Sequence, residues 1–181
     1  MTTVRPARVG DAPAMGRAHV RAWQAAYRGH MPDAYLDALR PEDRAAYWED
    51  ALRRDDLVGT ILAVERDGAV VGFAAVGPAQ EPAGAGELYA INLDPAHWGT
   101  GAGRALLEAA QAELARLGFA DMVLWVLTGN ARARRFYEIA GWVADGAERT
   151  AEVQGVVVPE VRYRRRSTSE EISSATPPGT V

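Results

Sequence analysis

The chain has no cysteine among its 181 residues, which excludes disulfide bridges, thiolate metal ligands and a cysteine nucleophile. Histidine is scarce, and His19, His30 and His97 lie too far apart for the spacing of a metal site. We therefore expect no metal. An excess of positive charge is also missing, since 20 Lys and Arg residues stand against 24 Asp and Glu. Nucleic-acid binding, which depends on basic surfaces, is not expected either.

Long hydrophobic runs are absent as well. The N-terminal segment MTTVRPARVGD contains no apolar signal core, and no run approaches the ~18 apolar residues of a membrane span. We expect a cytoplasmic protein that does not contact membranes. With 48% hydrophobic residues, the chain suits a single domain with a substantial core, here placed at residues 1–166. The polar segment STSEEISSATPPGTV predicts a disordered tail over 167–181.

Hydrophobic periodicity and turn signals predict a mixture of strands and helices. Asp11 is predicted to cap a first long helix, Pro32 and Pro41 to open two short ones, and Asp67-Gly68 to turn a β-hairpin. The predicted strands cover 3–8, two runs around 66–68, 87–93, 122–127, 142–144 and 156–164. The predicted helices cover 11–27, the two short segments after the prolines, the segment that follows residue 103 and ends at Gly118, and 131–140.

The most informative stretch is ELYAINLDPAHWGTGAGRALL, in which an apolar strand leads through a glycine loop into a helix. Glycines let the backbone approach a ligand, and the first turn of the helix offers unpaired N–H groups to an anion. The pattern predicts a diphosphate cradle built from the amides of 99–104, with the positive charge of Arg104 at its rim. A tight connection without a ligand remains the alternative.

Two other phosphate-binding patterns fit this loop poorly. A dinucleotide fingerprint needs G-x-G-x-x-G in a first βαβ unit and an acidic residue about 20 positions further on. Here the glycines alternate, they come late in the chain, and the next strand ends in Leu-Thr-Gly-Asn. A triphosphate loop needs Gly-Lys-Ser/Thr, which this sequence does not contain.

A family resemblance rests on two motifs together. LDPAHWGTGAGRALL resembles the acyl-CoA-binding motif of the GCN5-related N-acetyltransferases (GNAT), written (Gln/Arg)-x-x-Gly-x-(Gly/Ala). WVLTGNARARRFYEIAGW resembles the motif that follows in that family, with Asn130, Tyr137, Gly141 and Trp142 at the matching positions. The likeness extends over about 3–164. It departs from the family pattern at Trp98, which stands where Gln or Arg is usual.

The resemblance implies an α/β (α+β) fold, with one mixed, mostly antiparallel sheet of six or seven strands and helices on both faces. The sheet would be splayed between its fourth and fifth strands, so that pantetheine pairs with the backbone near Ile91 and Leu93. It further implies acetyl-CoA as co-substrate, no metal, a small-molecule or peptide amine as acceptor, and a homodimer.

The resemblance also assigns roles to individual residues. Tyr137 would be the general acid that protonates the departing CoA thiolate, Glu87 would be the base acting through water, and Asn130 would hydrogen-bond the pantetheine arm or the amine. The acceptor side would be lined by Trp23, Tyr27, Tyr35 and Glu87. The residues expected to bind the cofactor are Ile91, Leu93, Trp98, Gly99, Thr100, Gly101, Ala102, Gly103, Arg104, Asn130 and Tyr137.

Each catalytic assignment has a structural alternative. Tyr137 can be a core residue beside Phe136, Glu87 an exposed residue at a strand edge, and Asn130 only a helix cap. His30 is a second candidate for the base.

The function expected from the motifs is acetyl transfer from acetyl-CoA to a primary amine by direct attack through a tetrahedral intermediate. A non-catalytic acyl-CoA-binding or sensor module of the same fold is the main alternative. A nucleotide-binding oxidoreductase is the second.

Overall fold

The computed structural model describes residues 1–153 and 155–167. Residues 168–181, which make up almost all of the predicted tail, lie outside this description. The strands are β1 (Thr2–Pro6), β2 (Thr60–Arg66), β3 (Ala69–Pro78), β4 (Gly86–Leu93), β5 (Asp121–Leu127), β6 (Val143–Val153) and β7 (Val156–Arg166). The helices are α1 (Ala12–Ala26), α2 (Asp33–Ala38), α3 (Pro41–Arg53), α4 (Ala102–Arg116) and α5 (Ala131–Ile139).

The seven described strands form one sheet in the order β1-β2-β3-β4-β5-β7-β6. All neighbours are antiparallel except β4 and β5, which run parallel. These two strands pair only from Gly86 opposite Met122 to Leu88 opposite Leu124, and their register ends there. The mixed sheet and its splay between the fourth and fifth strands are thus confirmed.

Local turn chemistry explains how neighbouring strands connect. Asp67 and Gly68 both have positive φ, 51° and 83°, which is the geometry of a two-residue hairpin turn between β2 and β3. A β-bulge lies in β4, because the register changes from Ala75 opposite Ala90 to Val76 opposite Leu88 and leaves Tyr89 as the extra residue. The bulge bends β4 at the point where it leaves β5.

Helices cover both faces of the sheet, as expected. Since successive side chains of a strand point to opposite faces, Ala74 and Phe73 of β3 enter different cores. Residues packed on the α4 and α5 face include Leu62, Val64, Ala74, Leu88, Leu106, Leu107, Leu114, Met122 and Tyr137. Residues packed on the α1 and α3 face include Ala12, Met15, Trp48, Ile61, Phe73 and Ala75.

Two local predictions were correct only in part, the strand at 142–144 in where it begins and Asp11 in its position as the N-cap residue of α1. The strand predicted at 142–144 extends over Val143–Val153, because it resumes pairing with β7 after residues 145–147 loop out of the register. The bulge breaks the alternation that marks a strand in sequence. Asp11 precedes α1, but its carboxylate makes no cap bond to the helix. Its oxygens instead accept hydrogen bonds from the Arg5 guanidinium at 2.7 and 2.9 Å.

Candidate active site

The gap between β4 and β5 opens into a cavity of about 670 Å³. Its walls come from α1, β4, the glycine loop, β5, α5 and β7. Of the predicted site residues, those that line it are Trp23, Tyr27, Ile91, Leu93, Trp98, Gly99, Gly101, Gly103, Arg104, Asn130 and Tyr137. Four predicted residues, Tyr35, Glu87, Thr100 and Ala102, are not part of the lining.

The glycine loop presents backbone rather than side chains to the cavity. Gly99 and Gly101 have φ of 75° and 89°, a conformation that L side chains adopt only with strain. Gly101 is also the residue that caps α4, whose first amides have no partner within the helix. The side chain of Ala102 is buried in the core, and the Thr100 hydroxyl donates to the carbonyl of His97 at 2.7 Å.

Trp98 closes one end of the cavity wall. Its indole Nε1 donates to the carbonyl oxygen of Leu93 at 3.1 Å, and the Arg132 guanidinium carbon lies 4.0 Å from the ring centroid. The residue that departs from the family pattern thus joins the end of β4 to the glycine loop and supports a cation beside the cavity.

Three arginines line the cavity. Arg104 was predicted, and its Nε bonds Glu108 at 2.7 Å on the exposed rim. Arg132 and Arg135, both on α5, were missed by sequence reasoning. The basic run after Asn130 was the available signal, but helical periodicity alone does not say which of its arginines faces a ligand.

Asn130 has the cap position that its structural alternative predicts. Its Oδ1 accepts a hydrogen bond from the amide of Ala133 at 3.1 Å. The residue is buried and also lines the cavity. The cap uses only the side-chain oxygen, so the two N–H donors of the amide remain for other partners.

Tyr137 belongs to both the core and the cavity wall. Its ring centroid lies 5.5, 6.4 and 6.3 Å from those of Phe136, Trp142 and Tyr163, and the residue lines the cavity. Burial raises the pKa of its hydroxyl well above the ordinary value, and the nearby Tyr27 adds to this effect. The phenol is therefore protonated throughout the neutral range and can act as a proton donor.

The side of the cavity that was predicted to receive the acceptor is aromatic. Trp23 and Tyr27 meet edge to face with ring centroids 5.0 Å apart. Burial, with a smaller contribution from Glu160, raises the pKa of Tyr27 to about 12. Tyr35 lies behind this wall on α2, and its hydroxyl is buried without a hydrogen-bond partner. His30 does not line the cavity, and its ring lies against Gly129.

Two carboxylates belong to this side of the site. Glu87 is half-buried, and burial raises its pKa, with Arg149 opposing and Glu160 reinforcing the shift. Glu160 lines the cavity and was missed by sequence reasoning. Its Oε2 accepts from Arg149 Nε at 2.7 Å, and Arg149 lies 4.1 Å above the Trp125 ring. The only sign of Glu160 in the sequence was a single charged residue within the apolar segment VVVPEV.

The described residues hold neither a metal-binding cluster nor a helix that could span a membrane. Residues 1–153 and 155–167 contain no group of three or more His, Asp or Glu side chains arranged to hold a metal ion. None of the helices within these ranges has the length and apolarity that a bilayer crossing requires.

Comparison with known proteins identifies the family. The acetyltransferase (GNAT) family model matches residues 21–142. The N-acetyltransferase YuaI of Bacillus subtilis (strain 168) is 34% identical over 167 residues, which cover 89% of this chain and 91% of YuaI. Mycothiol acetyltransferase of Saccharopolyspora erythraea is 33% identical over 79% of this chain, and the match spans 45% of that longer protein.

The fold agrees with solved structures. PaiA N-acetyltransferase from Thermoplasma acidophilum, solved in complex with coenzyme A, superposes with a TM-score of 0.73 at 18% identity, covering 92% of this chain and 99% of PaiA. The family match covers more than half of the chain, and the similarity to YuaI extends over most of both proteins. The chain therefore belongs to the GNAT acetyltransferase family and is an N-acetyltransferase of the acyltransferase class.

Proposed function

We propose that this protein transfers the acetyl group of acetyl-CoA to a primary amine by direct attack through a tetrahedral intermediate. The observation that carries the proposal is the parting of β4 from β5 after Leu88, which opens a cavity bounded by both the glycine loop and Tyr137. A candidate diphosphate site and a candidate proton donor thus lie on one cavity, as the diphosphate and the thioester of acetyl-CoA require.

The glycine loop and the start of α4 are proposed to bind the CoA diphosphate. Their backbone amides supply hydrogen bonds and the helix N-terminus supplies partial positive charge. Arg104 in the first turn of α4 and Arg132 over the Trp98 ring add full charges beside this loop, and Arg135 lines the same cavity. The pantetheine arm is proposed to pair with the backbone of β4 near Ile91 and Leu93, where β5 no longer pairs with it.

Tyr137 is proposed to be the general acid. The amine nitrogen attacks the thioester carbon, and the carbonyl electrons move to oxygen. When the intermediate collapses, the carbon–sulfur bond breaks and the CoA thiolate takes the proton of the Tyr137 hydroxyl. The nitrogen, positively charged since the attack, loses its extra proton to water as the amide forms, and the tyrosinate regains a proton from water. The raised pKa keeps that proton in place until the thiolate forms.

Glu87 is proposed to be the base. It stands outside the cavity lining, although the next residue, Leu88, lies within it, so this role requires a water that connects the carboxylate to the amine. The ammonium proton passes through this water to Glu87 before attack. Burial favours this role because it raises the pKa of Glu87 and so brings that pKa closer to the pKa of the amine.

The acceptor is proposed to be a small molecule or a peptide with a primary amine. Trp23, Tyr27 and Glu160 form the wall that it would contact. Action in the cytoplasm and assembly as a homodimer remain predictions from the sequence and the family resemblance.

The test is release of CoA thiol from acetyl-CoA with a panel of primary amines. We expect turnover with at least one acceptor, and a reduction of kcat by about 10²- to 10⁴-fold in Tyr137→Phe. Tyr47→Phe is the control, because Tyr47 is exposed on α3. Wild-type kcat in Tyr137→Phe with every active acceptor would show that the acid is another group.

The rival functions give different results in the same preparation. Saturable CoA binding without thiol release for any acceptor supports a non-catalytic module of this fold. Binding of NAD or FAD, with no binding of CoA at millimolar concentration, supports an oxidoreductase and contradicts the proposal.

A further inference from the structure

The cavity is lined from both faces of the sheet. Gly103 of α4 and Tyr137 of α5 line it from one face, and Trp23 and Tyr27 of α1 line it from the other. The proposed diphosphate site and general acid both belong to the first face. The part of the cavity on the second face is here called the α1 chamber. Its lining includes Trp23, Tyr27, Asn92, Leu127 and Glu160.

Strand alternation places Asn92 in the α1 chamber. Its neighbours Ile91 and Leu93 pack in the core beneath α4 and α5, so the side chain between them points to the opposite face. The residue opposite Asn92 on β3 is Phe73, which packs in the core beneath α1 and α3. Side chains that oppose each other on two paired strands lie on one face of the sheet, so the pairing gives the same placement as the alternation.

The Asn92 side chain has no hydrogen-bond partner. A carboxamide offers two N–H donors and one carbonyl oxygen, and none of these is bonded within residues 1–153 and 155–167. The residue is only 9% exposed, but neither polar atom of its amide is sealed in protein as the Tyr35 hydroxyl is. The open part of the side chain faces the cavity that Asn92 lines. A polar group that is nine-tenths buried, unpaired and open to a cavity is suited to bind a ligand there.

The surroundings of Asn92 favour an uncharged partner. Trp23 and Tyr27 pack against an apolar cluster on the same face, whereas the three arginines that line the cavity belong to α4 and α5 on the other face. Within the described chain, the one carboxylate of the lining is Glu160. It lies two strands away on β7 and is paired with Arg149 at 2.7 Å. A charged group bound by Asn92 would therefore lack a lining residue of opposite sign beside it on β4 or α1.

We propose that Asn92 selects the acceptor by hydrogen-bonding a primary amide that the acceptor carries in addition to its reactive amine. A primary amide matches the carboxamide on both sides at once, because each donates an N–H to the carbonyl oxygen of the other. An acceptor bound in the α1 chamber displaces water from Asn92, so an acceptor without such a group leaves the carboxamide unpaired. This role rests on the proposed acetyl transfer and names the class of its acceptor.

The test is thiol release with ω-amino amides in which one to four methylene groups separate the amine from the amide. Each is compared with the amine in which an isopropyl group of the same shape replaces the carboxamide. At the best-fitting length we expect the amide to be preferred by about 5- to 150-fold in kcat/KM, the factor that corresponds to leaving a buried polar group unpaired.

Two variants of similar shape separate the chemistry of Asn92 from its packing. Asn92→Leu removes the polar atoms, and we expect the amide and isopropyl acceptors then to differ by less than about twofold. Asn92→Asp adds a negative charge, and we expect the preference to move to the diamine of the same length. Tyr89→Phe is the matched control and should keep the preference of wild type. Tyr89 also lies on β4 and lines the cavity, but its hydroxyl already donates to the carbonyl of Pro78.

The role of Asn92 and the proposed function can fail separately. Turnover without a preference for the amide, a preference that persists in Asn92→Leu, or an effect of Asn92→Leu on KM for acetyl-CoA alone overturns the role of Asn92 but not acetyl transfer. If no acceptor is turned over, calorimetric titration of the same pairs into the protein with CoA present decides. Tighter binding of the amide to wild type, lost in Asn92→Leu, supports the role, and equal or undetectable binding of both members overturns it.

Discussion

The indole Nε1 of Trp98 lies 3.1 Å from the carbonyl oxygen of Leu93 and donates a hydrogen bond to it. This bond joins the last residue of β4 to the segment that leads into the glycine loop. Both residues line the cavity, so the bond sets the distance between the proposed pantetheine strand and the proposed diphosphate cradle.

Replacing Trp98 with Phe keeps an aromatic ring but removes the donor. A single hydrogen bond contributes about 0.5 to 1.5 kcal/mol, so we expect KM for acetyl-CoA to rise about 2- to 13-fold while kcat stays within twofold. Steady-state kinetics at saturating acceptor measures both constants. An unchanged KM would mean that the glycine loop keeps its position without this bond.

Glu87→Gln tests the base. A base must be deprotonated to act, so kcat/KM should rise as pH increases through the pKa of Glu87. Because burial raises that pKa, the rise in the pH profile of kcat/KM, here called the limb, should occur above the ordinary pKa of Glu. In Glu87→Gln we expect the limb to vanish and kcat to fall about 10²- to 10³-fold. Glu152→Gln, at an exposed position of β6, is the control, and a limb that persists in Glu87→Gln assigns the base elsewhere.

Glu160→Gln tests the second carboxylate. The charge of Glu160 raises the pKa of Glu87, whereas Arg149 lowers it. Removing that charge also leaves Arg149 without its partner at 2.7 Å. Both effects lower the pKa of Glu87, so we expect the limb to move to lower pH. A shift to higher pH, measured over the same range and buffers, would contradict this arrangement.

Gly101→Ala tests the left-handed residue that begins α4. The site has space for a Cβ, so the cost comes from φ of 89° alone. We expect a loss of about 1 kcal/mol in the free energy of unfolding and a higher KM for acetyl-CoA. Gly10→Ala is the matched control, because Gly10 has the same free space and no positive φ. Equal stabilities in urea for the two variants would contradict the assignment.

His19 predicts how stability depends on pH. Its pKa is about 4 in the folded protein against an ordinary value of 6.5, so below pH 6.5 the unfolded chain binds a proton that the folded one does not. Stability is therefore complete above pH 6.5 and is lost as pH falls toward 4, by up to about 3 kcal/mol. The free energies of unfolding of wild type and His19→Gln, measured in urea, should therefore approach each other as pH falls through this range. Curves that stay parallel between pH 7 and 5 would contradict the prediction.

Several features of the fold and site were open to prediction because each is encoded within a short segment. The Asp67-Gly68 hairpin, the glycine loop before α4 and the cap at Asn130 follow from local turn chemistry. The splay between β4 and β5 was predicted only through the family resemblance, since pairing between strands separated by α4 leaves no local pattern.

The cavity wall depends on the tertiary structure. Glu160 lies on β7 and Tyr27 at the end of α1, and only the order of strands in the sheet brings them to one cavity. The full length of β6 was missed for a related reason, because pairing with β7 sustains the strand across a bulge.

Turn and cap preferences act over a few residues and can be read from the chain. Which side chains meet across distant elements is decided by packing and strand register. The glycine loop, Asn130 and Tyr137 could therefore be identified from the sequence of this protein. The places of Glu160, Tyr27 and His19 in the cavity wall were decided when the helices and the sheet came together.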